Sequence, residues 1–432
     1  MVAAARDVRG PAFHGYRIAA TCFLEYGVAI GAVYFVAGPL VAALVPSMKW
    51  TLAVVSTVFL IRSLIGVLGP VYGWLVHRFG ARTIMVVGGV LTAIFTGLTA
   101  LVQEPIGFYV LFGVALAFAD GLMGYLPVFT TVNHWFVKRR GLMMGIVAAA
   151  GGIGGFVFAP VMQLLIQGLG GWRPAMVALG LIIFILGPVP AFLLIRNRPA
   201  DVGQQPDGLA AEAVAEIARP EVSSNPGSWS VREALRAPQL WLLMFVFGVE
   251  AWALGVYSAD QVIYLKSVGI SPLAASTALG ATGLVAAVAG FLINHLSDRL
   301  KSGSYWVLIG ATVLMTLGSI LFILARNLPM VYLYVLLFGA GYGILVPAIP
   351  TALGQYFGGD DYARIYGIGS VIVVLMGGIG PLVTGIMVTA SGSFGSALYL
   401  VTGLLILSII LAVAARPPAR AAALAVKPEP GV

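Results

Sequence analysis

An α-helix needs about 20 apolar residues to cross roughly 30 Å of hydrocarbon. This chain supplies twelve such runs, beginning near residues 17, 50, 83, 107, 141, 174, 239, 272, 304, 329, 364 and 394. A segment spanning lipid must pair its backbone groups internally, which leaves helices and closed barrels, and runs this long are helical. The expected fold is all-α and polytopic, with twelve transmembrane helices. With 60% of the 432 residues hydrophobic and only 9% charged, there is more apolar side chain than a soluble domain buries. The net charge of +8 would suggest nucleic acid as a partner of a soluble protein; here the basic residues fall in loops between runs, so nucleic acid is not expected. Cys22 is the single cysteine, which excludes an internal disulfide and a cysteine metal cluster. Arg6, Arg9 and Arg17 precede the first run without a small-residue cleavage site, as for a retained span.

Lysine and arginine set the orientation. Placing the N-terminus inside puts Arg78, Arg82, Lys138, Arg139, Arg140, Arg196, Arg198, Arg299, Lys301, Arg364, Arg416 and Arg420 in the cytoplasm. Only Lys49, Arg173, Lys266 and Arg326 then face outward, so both termini are expected to be cytoplasmic. The longest polar segment, with Pro199, Pro206, Pro220 and Pro226, divides the chain. The expected organisation is a six-helix bundle over 1–196, a cytoplasmic linker over 197–237, a second six-helix bundle over 238–416 and a disordered tail over 417–432.

The halves repeat one another at a near-constant offset. His77-Arg78 matches Asp298-Arg299, the GGIG at Gly151 recurs at Gly377, and Glu25 aligns with Glu250. A parallel repeat has its pseudo-twofold axis along the membrane normal and places a substrate site between the halves near the midplane. Twelve spans, a central loop and basic-glycine loops at matching places resemble the major facilitator superfamily. Within it, WFVKRRGLMMG from Trp135, with Gly154, resembles the signature opening helix 5 in the monocarboxylate transporter and oxalate:formate antiporter branch. HGYR at His14 and ALRAPQLWLL at Ala234 resemble its bacterial members. The resemblance implies a secondary transporter in a bacterial inner membrane, working as a monomer on a small organic substrate with protons and without a cofactor. Symport or exchange of small organic anions, chiefly monocarboxylates, is implied. Arg78, Arg82, Asp298 and Arg299 would form the loop brace of that superfamily, with His77 in place of its usual aspartate, and Arg139 and Arg140 belong to the helix 5 signature.

Ionisable groups at membrane depth cost about 2.5–3.5 kcal/mol each at a helix centre, so each is a functional candidate. Five stand out: Glu25, Arg62, Asp120, Glu250 and Asp260. Arg62 either anchors a carboxylate bidentately or pairs structurally with Asp120 or Glu25. Asp120 is either a proton carrier or the partner of Arg62. Glu25 and Glu250 are candidates for binding protons or a cationic group, or for gating against the opposite half. Asp260 lies further outward, within reach of an aqueous vestibule. Many carboxylate-transporting members of the resembled branch have an arginine in helix 8 where this chain has Gly290, so a substrate carboxylate would rely on Arg62 or on Gln163, Gln167 and Tyr257. The acid surplus leaves a second reading, proton-driven export of a neutral or cationic compound, and a third, a transporter-derived receptor. No Walker sequence is present, and one cysteine and four histidines assemble no catalytic constellation, so an enzyme is not expected.

Overall fold

Uninterrupted apolar runs become single helices, and the interruptions fall at glycine and proline. The computed structural model describes residues 13–208, 229–297, 304–359 and 361–418. Its first six spans are α1 (Gly15–Met48), α2 (Leu52–Gly66 and Gly69–Phe79), α3 (Ala81–Leu101), α4 (Pro105–Trp135), α5 (Arg140–Gly168) and α6 (Trp172–Leu194). The second six are α7 (Pro238–Ser267), α8 (Pro272–Ser297), α9 (Ser304–Leu324), α10 (Leu328–Phe357), α11 (Tyr362–Ser391) and α12 (Gly395–Ala414). There is no strand among the described residues. The central part of the expected linker, 209–228, and most of the expected tail lie outside the described residues.

Proline acts in two ways. At Pro70, beside Gly66 and Gly69, α2 bends by 53°. In α4 the chain breaks at Gly124 (φ −82°, ψ −130°), three residues before Pro127. Pro160, Pro347, Pro350 and Pro381 stay inside continuous helices, where neighbouring spans hold the chain together. Two spans contain widened π turns, Ile30–Phe35 in α1 and Tyr109–Ala115 in α4. Such turns leave carbonyls without their usual helical partner.

The repeat read from the sequence is visible in the packing. In each GGIG the second glycine faces the other half: a methyl group on Gly152 of α5 would run into the Gly283 carbonyl of α8, and one on Gly378 of α11 would come within 2.6 Å of the Phe59 carbonyl of α2. The outer glycines face inward, Gly151 toward Tyr26 and Ile30 of α1 and Gly380 toward Trp252 of α7. The halves therefore meet along two seams, α5 with α8 and α2 with α11, where backbone touches backbone and few side chains intervene. Each half keeps its own core, with Val55, Val58, Phe112 and Leu179 in the first and Phe322, Phe338, Tyr334 and Val401 in the second. Leu181, Ile185, Phe192 and Ile410 are more than half exposed on the outer helices, as a lipid-facing surface requires.

Residues 196–208 form a strap across the basic-loop end of the first half. Asp207 accepts hydrogen bonds from the backbone N–H groups of Val137 (2.7 Å) and Lys138 (2.6 Å) in the α4–α5 loop. Gln204 Oε1 accepts from His14 N, Asn197 Oδ1 from Arg82 N, and the Arg196 carbonyl from the Trp135 indole. Asp207 adopts a left-handed conformation (φ 56°) that aspartate tolerates better than most residues.

Candidate functional site

Tyr26, Ile30 and Tyr34 lie four residues apart and so share one face of α1. That face turns into a cavity of about 660 Å³ between the halves, walled by α1, α4 and α5 on one side and by α7, α8 and α10 on the other. The cavity reaches Gly141 at the start of α5, beside the Lys138–Arg140 loop, and Tyr125, Phe291 and Val346 are exposed along it. Its far end is closed by contact between α1 and α7: Ser258 Oγ bonds Tyr34 Oη at 3.2 Å, Lys266 Nζ donates to the Ala42 carbonyl, and Gly38 packs on the Ser258 carbonyl. The walls combine aromatic rings on α1 and α4 with Gly145, Ala148, Gly152, Gly283, Ala287 and Gly290 on α5 and α8. Among the described residues no charged side chain lines the cavity.

Arg62 and Asp120 pair with one another and are not among the residues that line the cavity. The guanidinium approaches Asp120 Oδ2 at 3.6 Å, donates to the Phe112 carbonyl at 2.9 Å and lies over the Phe112 ring. Phe112 belongs to the π turn of α4, so the irregular backbone supplies an acceptor at membrane depth. Arg62 thus pairs with Asp120, one of the partners the sequence offered. Asp120 Oδ1 has no hydrogen-bond partner among the described residues.

The remaining acids are buried away from the cavity. Glu25 is fully buried, and neither of its carboxylate oxygens has a partner among the described residues; the Gly187 region of α6 lies beside it. Glu250 accepts from Thr312 Oγ1 of α9 at 3.1 Å, a bond within its own half rather than across the gate. Asp260 is 2% exposed, and in this conformation no vestibule reaches it. The reason is the depth of α7, whose Val256, Tyr257, Tyr264 and Leu265 are all buried in the second half's core around that level.

Tyr257 and Gln163 do not line the cavity either. The Tyr257 hydroxyl pairs with Ser319 at 2.6 Å and its ring packs on Phe322 and Phe338, while Gln163 is 6% exposed on α5. At the basic-loop end Arg139 bonds Tyr16 Oη, Arg140 donates to the Phe136 carbonyl and Arg82 to the Phe192 carbonyl, and Arg78 lies over the Phe79 ring. Asp298 and Arg299, the other members of the expected loop brace, lie outside the described residues. Sequence reasoning missed the cavity tyrosines Tyr26, Tyr34, Tyr125 and Tyr342; the spacing of Tyr26 and Tyr34 on α1 was the available signal. Among the described residues no three His, Cys, Asp or Glu side chains converge to hold a metal ion.

Comparison with known proteins agrees with this architecture. A protein of Agrobacterium vitis named "Putative tartrate transporter" is 28% identical over 350 residues, 78% of this chain and 76% of that protein. Monocarboxylate transporter 11 of Mus musculus is 27% identical over 356 residues, covering 78% and 73%. Among solved structures, the nucleoside transporter NupG superposes with a TM-score of 0.70 at 14% identity, over 93% of this chain and 98% of that one. A bacterial homologue of the human lysosomal transporter Spinster, inward-facing and occupied, gives 0.68 at 17% identity, over 93% and 96%. These two likenesses establish the fold. The profile of the Major Facilitator Superfamily matches residues 26–265 and 240–431, and the chain, a multi-pass membrane transporter, belongs to that family.

Proposed function

We propose that this protein is a secondary transporter of small organic acids, monocarboxylates foremost, that couples their movement to protons by symport or exchange. Two units, 1–196 and 238–416, rock about the glycine seams to expose the cavity alternately to either side. Both termini face the cytoplasm of a bacterial plasma membrane, so the cavity described here is open inward. The observation that carries the reading is the Arg62–Asp120 pair, which places the first half's guanidinium within reach of Asp120 and of the field around Tyr34, a cavity-wall residue. A proton on Asp120 releases Arg62 from its counter-ion, and a substrate carboxylate drawn toward Tyr34 takes the vacated role. Glu25, Glu250 and Asp260, with carboxylate oxygens lacking partners among the described residues, are the further groups we assign to proton uptake. The named activities of the relatives from Agrobacterium vitis and mouse, tartrate and monocarboxylate transport, support an acidic substrate.

A second reading is favoured by one observation, a cavity wall without a basic side chain among the described residues. A neutral or cationic compound exported against protons would need none. The test is flux into proteoliposomes of the purified protein, with labelled monocarboxylates, dicarboxylates and organic cations, with and without an imposed proton gradient. Proton-stimulated carboxylate uptake is expected. Inert carboxylates with moving cations would establish the second reading, and binding without flux would establish a receptor.

A further inference from the structure

The lining of the cavity differs in kind from place to place. On α1 and α4, Tyr26, Tyr125 and Phe129 form one aromatic cluster, with ring centroids 5.3 Å apart for Tyr26 and Phe129 and 4.4 Å apart for Tyr125 and Phe129. On α5 and α8 glycine and alanine predominate, Gly145, Ala148, Gly152, Gly283 and Ala287 among them, with Met144 and Phe291 beside them. The aromatic face and these small residues line the same slot between the halves. Its volume of about 660 Å³ falls in the range of about 300–1,000 Å³ typical of cavities that enclose drug-sized ligands, far more than a three-carbon acid fills.

Polar chemistry in the slot is sparse. Among the described residues the lining offers tyrosine hydroxyls and backbone groups, and no Asn, Gln, Ser, Thr, Asp, Glu, Lys or Arg side chain. A short hydroxylated acid would leave its hydroxyls without defined partners there, and each unpaired group carries a desolvation cost. A planar ring is the body that such a site recognises, stacking on the aromatic face by offset or edge contact and sliding against the small residues. Tyr34, whose hydroxyl meets Ser258 Oγ at the closed end, gives a carboxylate on that ring one polar end to reach.

Resting on the organic-acid reading above, we propose that the solute carried is an aryl or arylalkyl monocarboxylate, held through its ring by the Tyr26–Tyr125–Phe129 face, in preference to short hydroxylated acids. The experiment measures dissociation constants by equilibrium dialysis of labelled phenylacetate against the detergent-purified full chain, with benzoate, lactate, tartrate, benzyl alcohol and benzylamine as competitors. It is repeated with Phe129→Ala, with Phe129→Leu, which keeps apolar bulk without a ring, and with Tyr125→Leu. Expected are displacement by benzoate but not by lactate or tartrate, and a loss of phenylacetate affinity of about tenfold in Phe129→Leu. Lactate competing as well as benzoate overturns the proposal, and so does unchanged phenylacetate affinity in folded Phe129→Leu and Tyr125→Leu. Benzyl alcohol or benzylamine competing as strongly as benzoate leaves the aromatic slot standing and overturns its restriction to acids. Proteoliposome flux of lactate with no preference for phenylacetate leaves the organic-acid reading standing while the aromatic proposal falls.

Discussion

Arg62 and Asp120 meet at 3.6 Å inside the first bundle, and the guanidinium takes its second acceptor from the Phe112 carbonyl in a π turn. Both side chains are less than a quarter exposed, so removing one strands the other in a poorly solvated place. Breaking such a pair typically costs about 3–5 kcal/mol, whereas replacing both members by apolar groups is often neutral. Asp120→Leu and Arg62→Met are each expected to lower the unfolding temperature in detergent, and the double variant to recover most of it while remaining inactive in flux. A double variant as unstable as the sum of the singles would show that the pair does not act as a unit.

The seam glycines make a prediction that separates motion from folding. Gly152→Val places a branched side chain against the Gly283 carbonyl and Ala287, forcing α5 and α8 apart. Transport is expected to fall by at least an order of magnitude, and Gly378→Val on the symmetry-related seam to behave alike. Gly310→Ala, where a methyl group meets nothing within 4 Å, is the control and is expected to transport normally. Flux per folded molecule, normalised by size-exclusion chromatography, is the measurement.

Asp207 ties the strap to the α4–α5 loop through two backbone N–H groups. Asp207→Ala is expected to destabilise by about 1–2 kcal/mol. Asp207→Asn, which keeps the left-handed backbone preference and a weaker acceptor, should fall between. Limited trypsin digestion reads the strap directly: cleavage after Arg196 should accelerate in the order wild type, Asn, Ala. Equal rates in all three would mean that the strap stays docked without Asp207.

Glu25→Gln and Glu250→Gln are expected to abolish gradient-driven accumulation while preserving exchange between equal pools. If both variants accumulate substrate as the wild type does, neither glutamate couples protons.

Cys22, buried between the spans and the single cysteine, gives an internal reporter. Maleimide labelling of folded protein is expected to be negligible and to become stoichiometric on denaturation in sodium dodecyl sulfate, so each variant above can be checked for folding with one reagent.

Depth was legible in the sequence and azimuth was not. Run lengths placed the twelve spans, and the recurring GGIG marked the repeat, because both depend on residue type along the chain; that its second glycine faces the other half emerged only in the packing. Arg62 could be assigned to mid-membrane for the same reason. Which neighbour it faces could not, since its helix is apolar on nearly every side and carries no stripe to mark a buried face. For the same reason Tyr257 looked available to a substrate, whereas its hydroxyl is spent on Ser319 inside the second half. The π turn at Phe112 and the docking of Asp207 depend on contacts between residues distant in sequence, and no local pattern announces them.

Gly290 lies in the cavity wall with its backbone against Gly343, where a methyl group would come within 2.7 Å of the Gly343 carbonyl oxygen. An arginine at that level needs room for its first carbon before its charge can be used. In this chain the close approach of α8 and α10 has closed that route: a single replacement of Gly290 by arginine would wedge two helices apart before it could bind anything. Charge selectivity here can be rewritten from α2 or from the tyrosines of α1 and α4, but at Gly290 only after Gly343 and its surroundings have changed first.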